Sequence, residues 1–214
     1  LDQIEQQNTE DIQKFGGMEA LDEPYRQTHW FEINKKRGFW LILLFFFQLL
    51  TASAMGYFED EIQKAVVLTL FVPLIISSGG NTGSQAATLI IRAMALQEIT
   101  IKDWWLVIKK ELVTGMVLGG ILGIFGFFRI MLWQYAGWFD YGQYWTFIAL
   151  SVGVSLSMIV IWGTLSGSMV PFVLKRFNLD PATSSAPFVA TLVDVTGLVI
   201  YFSAAGLLLS GKLL

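Results

Sequence analysis

The sequence predicts an all-α membrane protein with five transmembrane helices, and three observations carry that prediction. Of its 214 residues, 54% are hydrophobic and only 14% are charged, a richer apolar content than water-soluble domains of this size carry. From Phe39 onward, five apolar stretches are each long enough to cross roughly 30 Å of hydrocarbon at about 1.5 Å per helical residue. They run over about 39–57, 65–91, 112–132, 146–173 and 184–209. The runs are unbroken, without the period-two alternation of a barrel strand, so the backbone must satisfy its hydrogen bonds inside helices.

Composition narrows the chemistry further. A formal net charge of −3, from 14 basic and 17 acidic residues, leaves no basic face for a phosphate backbone and argues against nucleic acid as a partner. With no cysteine there is no disulfide framework, thiolate metal site or cysteine nucleophile. His29 is the only histidine, which rules out clustered-histidine metal chemistry and argues against a Ser-His triad.

Residues 1–37 form a polar cytoplasmic segment that holds eight of the seventeen acids and closes with Lys35, Lys36 and Arg37. Residues 38–214 form the membrane domain. The first apolar run is too long and starts too late for a signal peptide, and Leu1 in place of methionine leads us to expect a fragment of a longer protein. After the first span come Glu59, Asp60 and Glu61, which read either as an ordinary polar loop or as charges that draw cations toward an outer mouth.

Orientation follows from lysine and arginine, which stay on the cytoplasmic side during insertion. An inside N-terminus and an outside C-terminus put eleven of them inside, from Lys14 and Arg26 through Arg92, Lys102, Lys109 and Lys110 to Lys175 and Arg176. Only Lys64, Arg129 and Lys212 are then outside. Trp104 and Trp105 meet one interface and the Trp133 to Trp145 cluster the other, as amphipathic rings prefer.

The second span carries a consecutive polar and glycine run, Ser77-Ser78-Gly79-Gly80-Asn81-Thr82-Gly83-Ser84-Gln85. A lipid-facing helix has no use for it. Two readings stand: a weakened helix with carbonyls turned to water, or a tight crossing with buried hydroxyl and amide hydrogen bonds. Gly115, Gly119 and Gly123 in the third span, and Gly163 with Gly167 in the fourth, read as packing surfaces for close helix approach.

The fifth span holds Asp194, the one acid well inside an apolar stretch. Burying it costs about 2.5–3.5 kcal/mol on insertion scales, which points to a cavity, a partner or an ion path. A protonated link between helices is the plainer alternative. Asn81 and Asp194 each lie about ten residues from the inner end of their span, roughly 15 Å deep, so the two could line one chamber. Pro187, with Pro181 upstream, is expected to leave carbonyls such as that of Ala190 free to face water.

Taken together, Pro73, Gly80-Asn81, Gly83, Gln85 and Arg92, with Ala186-Pro187-Phe188-Val189-Ala190-Thr191 and Asp194-Val195-Thr196-Gly197, closely resemble the transmembrane domain of the MgtE magnesium channels. The resemblance covers nearly the whole chain. Asp11-Ile12-Gln13-Lys14, Gly16-Gly17 and Leu21-Asp22-Glu23-Pro24 are similar to that family's connecting "plug" helix and its exit. What it implies is a homodimeric, multi-pass channel of the inner (plasma) membrane whose pore lies at the dimer axis and passes Mg²⁺ with its waters, and Mn²⁺ or Co²⁺ as further candidates. By position, Asp194 becomes the ion-recognising carboxylate, the Ala190 carbonyl an acceptor, and Asn81 with Gly80 the facing wall. Pro73, Gly83, Gln85, Pro187 and Thr191 complete the pore-lining motif.

Two departures stand out: Ala186 occupies a position where some relatives carry asparagine, and Gln97 one where glycine is common. The family's cytosolic N and CBS domains are expected upstream, and Asp2, Glu5, Glu10 and Asp11 are either a solvated helix face or one side of its cation sensor. Outside the resemblance, an ion-coupled transporter, an intramembrane aspartyl protease and a purely structural bundle are the rival readings. The protease would need two aspartates sharing a proton.

Overall fold

The computed structural model describes residues 2–183 and 185–211, so Ser184 and Lys212, read above as a span start and an outer charge, lie outside the described residues. Seven helices follow one another: α1 (Asp2–Phe15), α2 (Trp30–Tyr57), α3 (Glu59–Lys64), α4 (Val72–Ala95), α5 (Trp104–Ala136), α6 (Trp145–Arg176) and α7 (Ala186–Leu209). Short 3₁₀ turns at Val66–Phe71, Ile101–Asp103 and Pro181–Thr183 join them. Five segments are long and apolar enough to span a bilayer: α2, Val66–Ala95, Ile101–Ala136, α6 and α7. The chain is a multi-pass membrane protein, as expected.

Helix ends differ from the apolar runs because caps, not hydrophobicity, set them. His29 caps α2 by accepting the Phe31 amide at 3.3 Å, so the helix starts at Trp30 and passes straight through the polar residues at 35–37. Thr100 and Asp103 form a reciprocal capping box ahead of α5, which brings Lys102, Lys109 and Lys110 into the helical segment. Gly137, at φ +70°, closes α5 in the left-handed conformation. Gln97 takes φ +57° after α4, a conformation that costs an ordinary side chain about 1 kcal/mol or more and glycine nothing.

Backbone contact between glycine faces holds the bundle together. A Cβ on Gly119 would stand 2.7 Å from the Ser157 carbonyl, and one on Gly115 would stand 2.9 Å from Ile161 Cα; Ser157 Oγ donates to the Gly119 carbonyl at 2.9 Å. The third-span glycines therefore pack α5 antiparallel on α6, as their spacing predicted. Gly163 and Gly167 press instead on α4: a Cβ on Gly163 would lie 2.7 Å from the Gly79 carbonyl, and one on Gly167 would collide with that of Gly83. These two helices run parallel. On its other side α4 meets α7, antiparallel, with Val193 against Gly79 and Val189 against Gly83.

Toward the opposite end from Ala186, the buried Tyr201 donates its hydroxyl to the Leu68 carbonyl at 2.8 Å, which fixes the 3₁₀ entry to α4. Arg129, with no acid in salt-bridge range among the described residues, donates to the Tyr141 hydroxyl at 2.8 Å and lies over the Trp133 and Phe71 rings. Helix α2 stands apart, with only Leu44 buried along it. It leans on α7 through the edge-on Phe47–Phe188 pair at 5.7 Å and the stacked Phe58–Phe202 pair at 5.3 Å.

The glycine contacts give a sharp stability contrast. Gly167→Ala should destabilise the detergent-solubilised chain by about 1–3 kcal/mol through overpacking against backbone. Gly120, one residue away from the contact stripe with open space around it, should accept alanine with a gain of up to about 1 kcal/mol. Thermal unfolding of the two variants checks both signs.

Candidate ion site between α4 and α7

Helix α4 is continuous from Val72 to Ala95. The polar and glycine run therefore does not break the helix, and of the two readings left open the tight crossing holds for its backbone. The run is partitioned between faces. Gly79, Gly80, Thr82 and Gly83 are buried, whereas Ser77, Asn81 and Gln85 are exposed, as are Pro73 before them and Thr88 after. Ser77, Asn81, Gln85 and Thr88 recur at helical spacing and form a polar stripe that nothing among the described residues covers.

Gly80 brings the site together. A Cβ there would stand 3.3 Å from the Ala190 Cβ and 3.4 Å from the Asp194 Oδ1, so the missing side chain is what lets α7 present its carboxylate against α4. Asp194 is partly buried. Among the described residues no donor or cation lies within bonding distance of its carboxylate, and no group of three acids or histidines gathers around it or elsewhere. An unpaired carboxylate in a membrane span is costly, and none of the described residues offsets it.

Asn81 sits about 100° round the helix from Gly80 and donates to the Ser77 Oγ at 3.3 Å. Gly83 is packed against α6 and α7. Thr191 is buried with its hydroxyl donating to the Pro187 carbonyl at 2.8 Å. Pro187 sits in the first turn of α7, where a missing amide hydrogen costs nothing. It frees no carbonyl at Ala190, contrary to expectation, because the amide it lacks would have bonded four residues upstream. The Ala190 carbonyl keeps only the second lone pair that every helical carbonyl has.

Two ties escaped the sequence reading. Ser84 Oγ donates to the Ala186 carbonyl at 3.1 Å, bridging α4 and α7 one turn below Ala190. Trp162 Nε1 donates to Thr196 Oγ1 at 2.7 Å, locking α6 to α7 two residues past Asp194. Thr88 could have been found by extending the helical spacing from Gln85.

Beneath the site lies the exit of α1. Phe15 packs against the cluster of Ala87, Val189 and Val193, and a Cβ on Gly17, at φ +78°, would stand 3.2 Å from Pro187. Lys14 ties α1 to the turn before α7, bonding Asp180 at 2.9 Å and Glu10 at 2.6 Å; these two hydrogen bonds, Glu10 first, raise its pKa. Burial, and then the charge of Asp180, raise the Asp11 carboxyl above its ordinary range. Of the four acids read as a helix face or sensor edge, Glu10 is thus committed to Lys14, and the side chains of Asp2 and Glu5 lie outside the described residues.

A family model described as "MgtE: Divalent cation transporter" matches residues 72–204, the segment that holds α4 through most of α7. The chain belongs to the MgtE family. It is 39% identical over 212 residues to the magnesium transporter MgtE of Thermus thermophilus, covering 98% of this chain and 44% of that protein. It is 33% identical over 166 residues to the protein of the same name in Bacillus subtilis, covering 78% of this chain and 35% of that one. A third, from Enterococcus faecalis, is 27% identical over 193 residues. The chain spans less than half the length of the curated relatives it matches.

The raised Asp11 gives the α1 contact a pH dependence of definite sign. A carboxyl whose pKa rises on docking favours the docked state most below the ordinary aspartate value of about 3.9 and loses that contribution as pH rises through the raised value. Protection of the α1 amides against hydrogen exchange, corrected for intrinsic rates, should therefore fall as pH rises above about 4 more steeply in the wild type than in Asp11→Asn.

Proposed function

We propose that this chain is the membrane pore domain of a Mg²⁺ channel, passing the ion largely hydrated into the cytoplasm between two copies of itself; it is a transport protein and not an enzyme. The observation that carries the reading is the unpaired Asp194 carboxylate held against Gly80 and Ala190. Mg²⁺ gives up its water reluctantly and is usually held by one or two carboxylates with several waters retained. One aspartate per protomer, with carbonyl and amide acceptors around it, suits an ion recognised through its hydration shell.

The polar stripe of α4 supports the dimer. Ser77, Asn81, Gln85 and Thr88 at mid-span cannot face lipid without cost, so they face water or a second copy, and a twofold axis beside α4 and α7 supplies both. Asn81 then contributes to the wall from the partner-facing side while Asp194 reaches past Gly80. The relatives from Thermus thermophilus and Bacillus subtilis are named magnesium transporters, which agrees with Mg²⁺ as the cargo. Mn²⁺ and Co²⁺ share its charge and oxygen-ligand preference and are further candidates. The position of α1 below Pro187 suits a cytoplasmic stopper whose control comes from N and CBS domains upstream. The inside N-terminus rests on the positive-inside count.

Asp194→Asn keeps volume and hydrogen-bonding capacity and deletes the charge. Mg²⁺ uptake into proteoliposomes, followed with an internal indicator dye, should fall at least about tenfold, since preorganised charge in a low-dielectric pore is worth several kcal/mol. Size-exclusion and circular dichroism profiles should be unchanged, and flux equal to wild type would take Asp194 out of the ion path. A proton or sodium gradient that drives uptake would replace the channel with coupled transport.

The chain has no cysteine, so Thr88→Cys gives a clean report on assembly. A short bismaleimide should convert it to a covalent dimer in mild detergent, while a cysteine at Phe125, on the exposed side of α5, should remain monomeric on the gel.

A further inference from the structure

At the end of the bundle where α5 begins and α6 finishes, a groove of about 210 Å³ runs between Ile101, Trp104, Met169, Phe172, Val173 and Arg176. Its floor is apolar and firm, because Phe172 belongs to a buried cluster with Ile90, Met94 and Val107. Trp104 and Val173 are exposed along it. Its one charge is Arg176, in the last turn of α6.

Positive charge predominates around the groove. Lys102 lies next to the lining Ile101, and Lys175 next to Arg176. Of the acids toward this end, Glu98 faces Arg92 at 3.9 Å and Asp180 holds Lys14; Asp103 keeps its charge while accepting the Thr100 amide and hydroxyl, each at 2.8 Å, and Glu111 lies two turns further along α5. Among the described residues no carboxylate lies within salt-bridge range of Lys102, Lys175 or Arg176. An apolar slot, an exposed indole in its wall and cations outside salt-bridge range of any described carboxylate together suit a ligand with a hydrocarbon tail and an anionic head.

We propose that this groove is a specific site for one anionic phospholipid, with an acyl chain along Met169, Phe172 and Val173 and the headgroup phosphate on the Arg176 guanidinium. Arginine suits the task because its planar fork meets two phosphate oxygens at once. The indole of Trp104 lies at headgroup level, and Lys102 adds a second positive charge. The site depends only on the helices crossing a bilayer, so it stands or falls independently of the ion reading.

The test uses the purified chain in vesicles of equal parts phosphatidylglycerol and phosphatidylcholine, with bromine on the acyl chains of one lipid or the other. The Trp104 signal is the difference between wild type and Trp104→Phe. Brominated phosphatidylglycerol should quench it about fivefold more effectively than brominated phosphatidylcholine, the preference expected from about one cation at an anionic headgroup. Arg176→Gln should bring that ratio close to one. Lys110→Gln removes the same charge from the same end of α5 but outside the groove, and should leave the ratio as it was. Equal quenching by the two lipids in the wild type would overturn the site, as would equal losses in both variants, which would mean diffuse surface charge alone. Native mass spectrometry of the wild-type chain supplies a readout that needs no variant: one phosphatidylglycerol should stay bound where phosphatidylcholine does not, and equal retention of the two would count against the proposal.

Discussion

Everything in this chain depends on how closely α4 approaches α6. With Gly79 and Gly83 on one helix and Gly163 and Gly167 on the other, backbone meets backbone, and in lipid such van der Waals contact is one of the few forces that bring helices together. That contact sets the rotation of α4, and the rotation decides which residues of its polar run are buried and which are left uncovered. The same rotation aims Gly80 at α7. A different packing face would leave Asp194 opposite a side chain instead of a gap.

Adjacent glycines thereby do different work. Gly79 and Gly83 remove bulk so that α6 and α7 can close in, whereas Gly80 leaves room beside the Asp194 carboxylate, and the Ser84 and Trp162 hydrogen bonds lock α7 at that height. The carboxylate is thus positioned by its neighbours. Among the described residues no cation or donor neutralises it, so the cost of holding this charge in the span is left uncompensated.

The five spans were legible because length and apolarity alone define them, and Asp194 because an acid in hydrocarbon is conspicuous. The packing roles of Gly115, Gly119 and Gly123 were legible from spacing. Helix ends were not, since His29 and Thr100 extend helices into polar sequence by capping, which a hydropathy count ignores. The division of labour within residues 77–85 was also hidden: a run of small polar residues has the same composition whichever face packs, and only the neighbouring helices choose. Pro187 was misread for a related reason, as a proline in the first turn of a helix disturbs nothing inside it.

The isolation of α2 bears on how the protein is made. Its ring contacts are with α7, at Phe188 and Phe202, which the ribosome adds more than a hundred residues later. At about 5–20 residues per second, α2 therefore waits in the bilayer for on the order of ten seconds before its partner exists. Its nearly uninterrupted hydrophobic surface suits that wait, since a helix that must persist alone in lipid can display no polar face of its own.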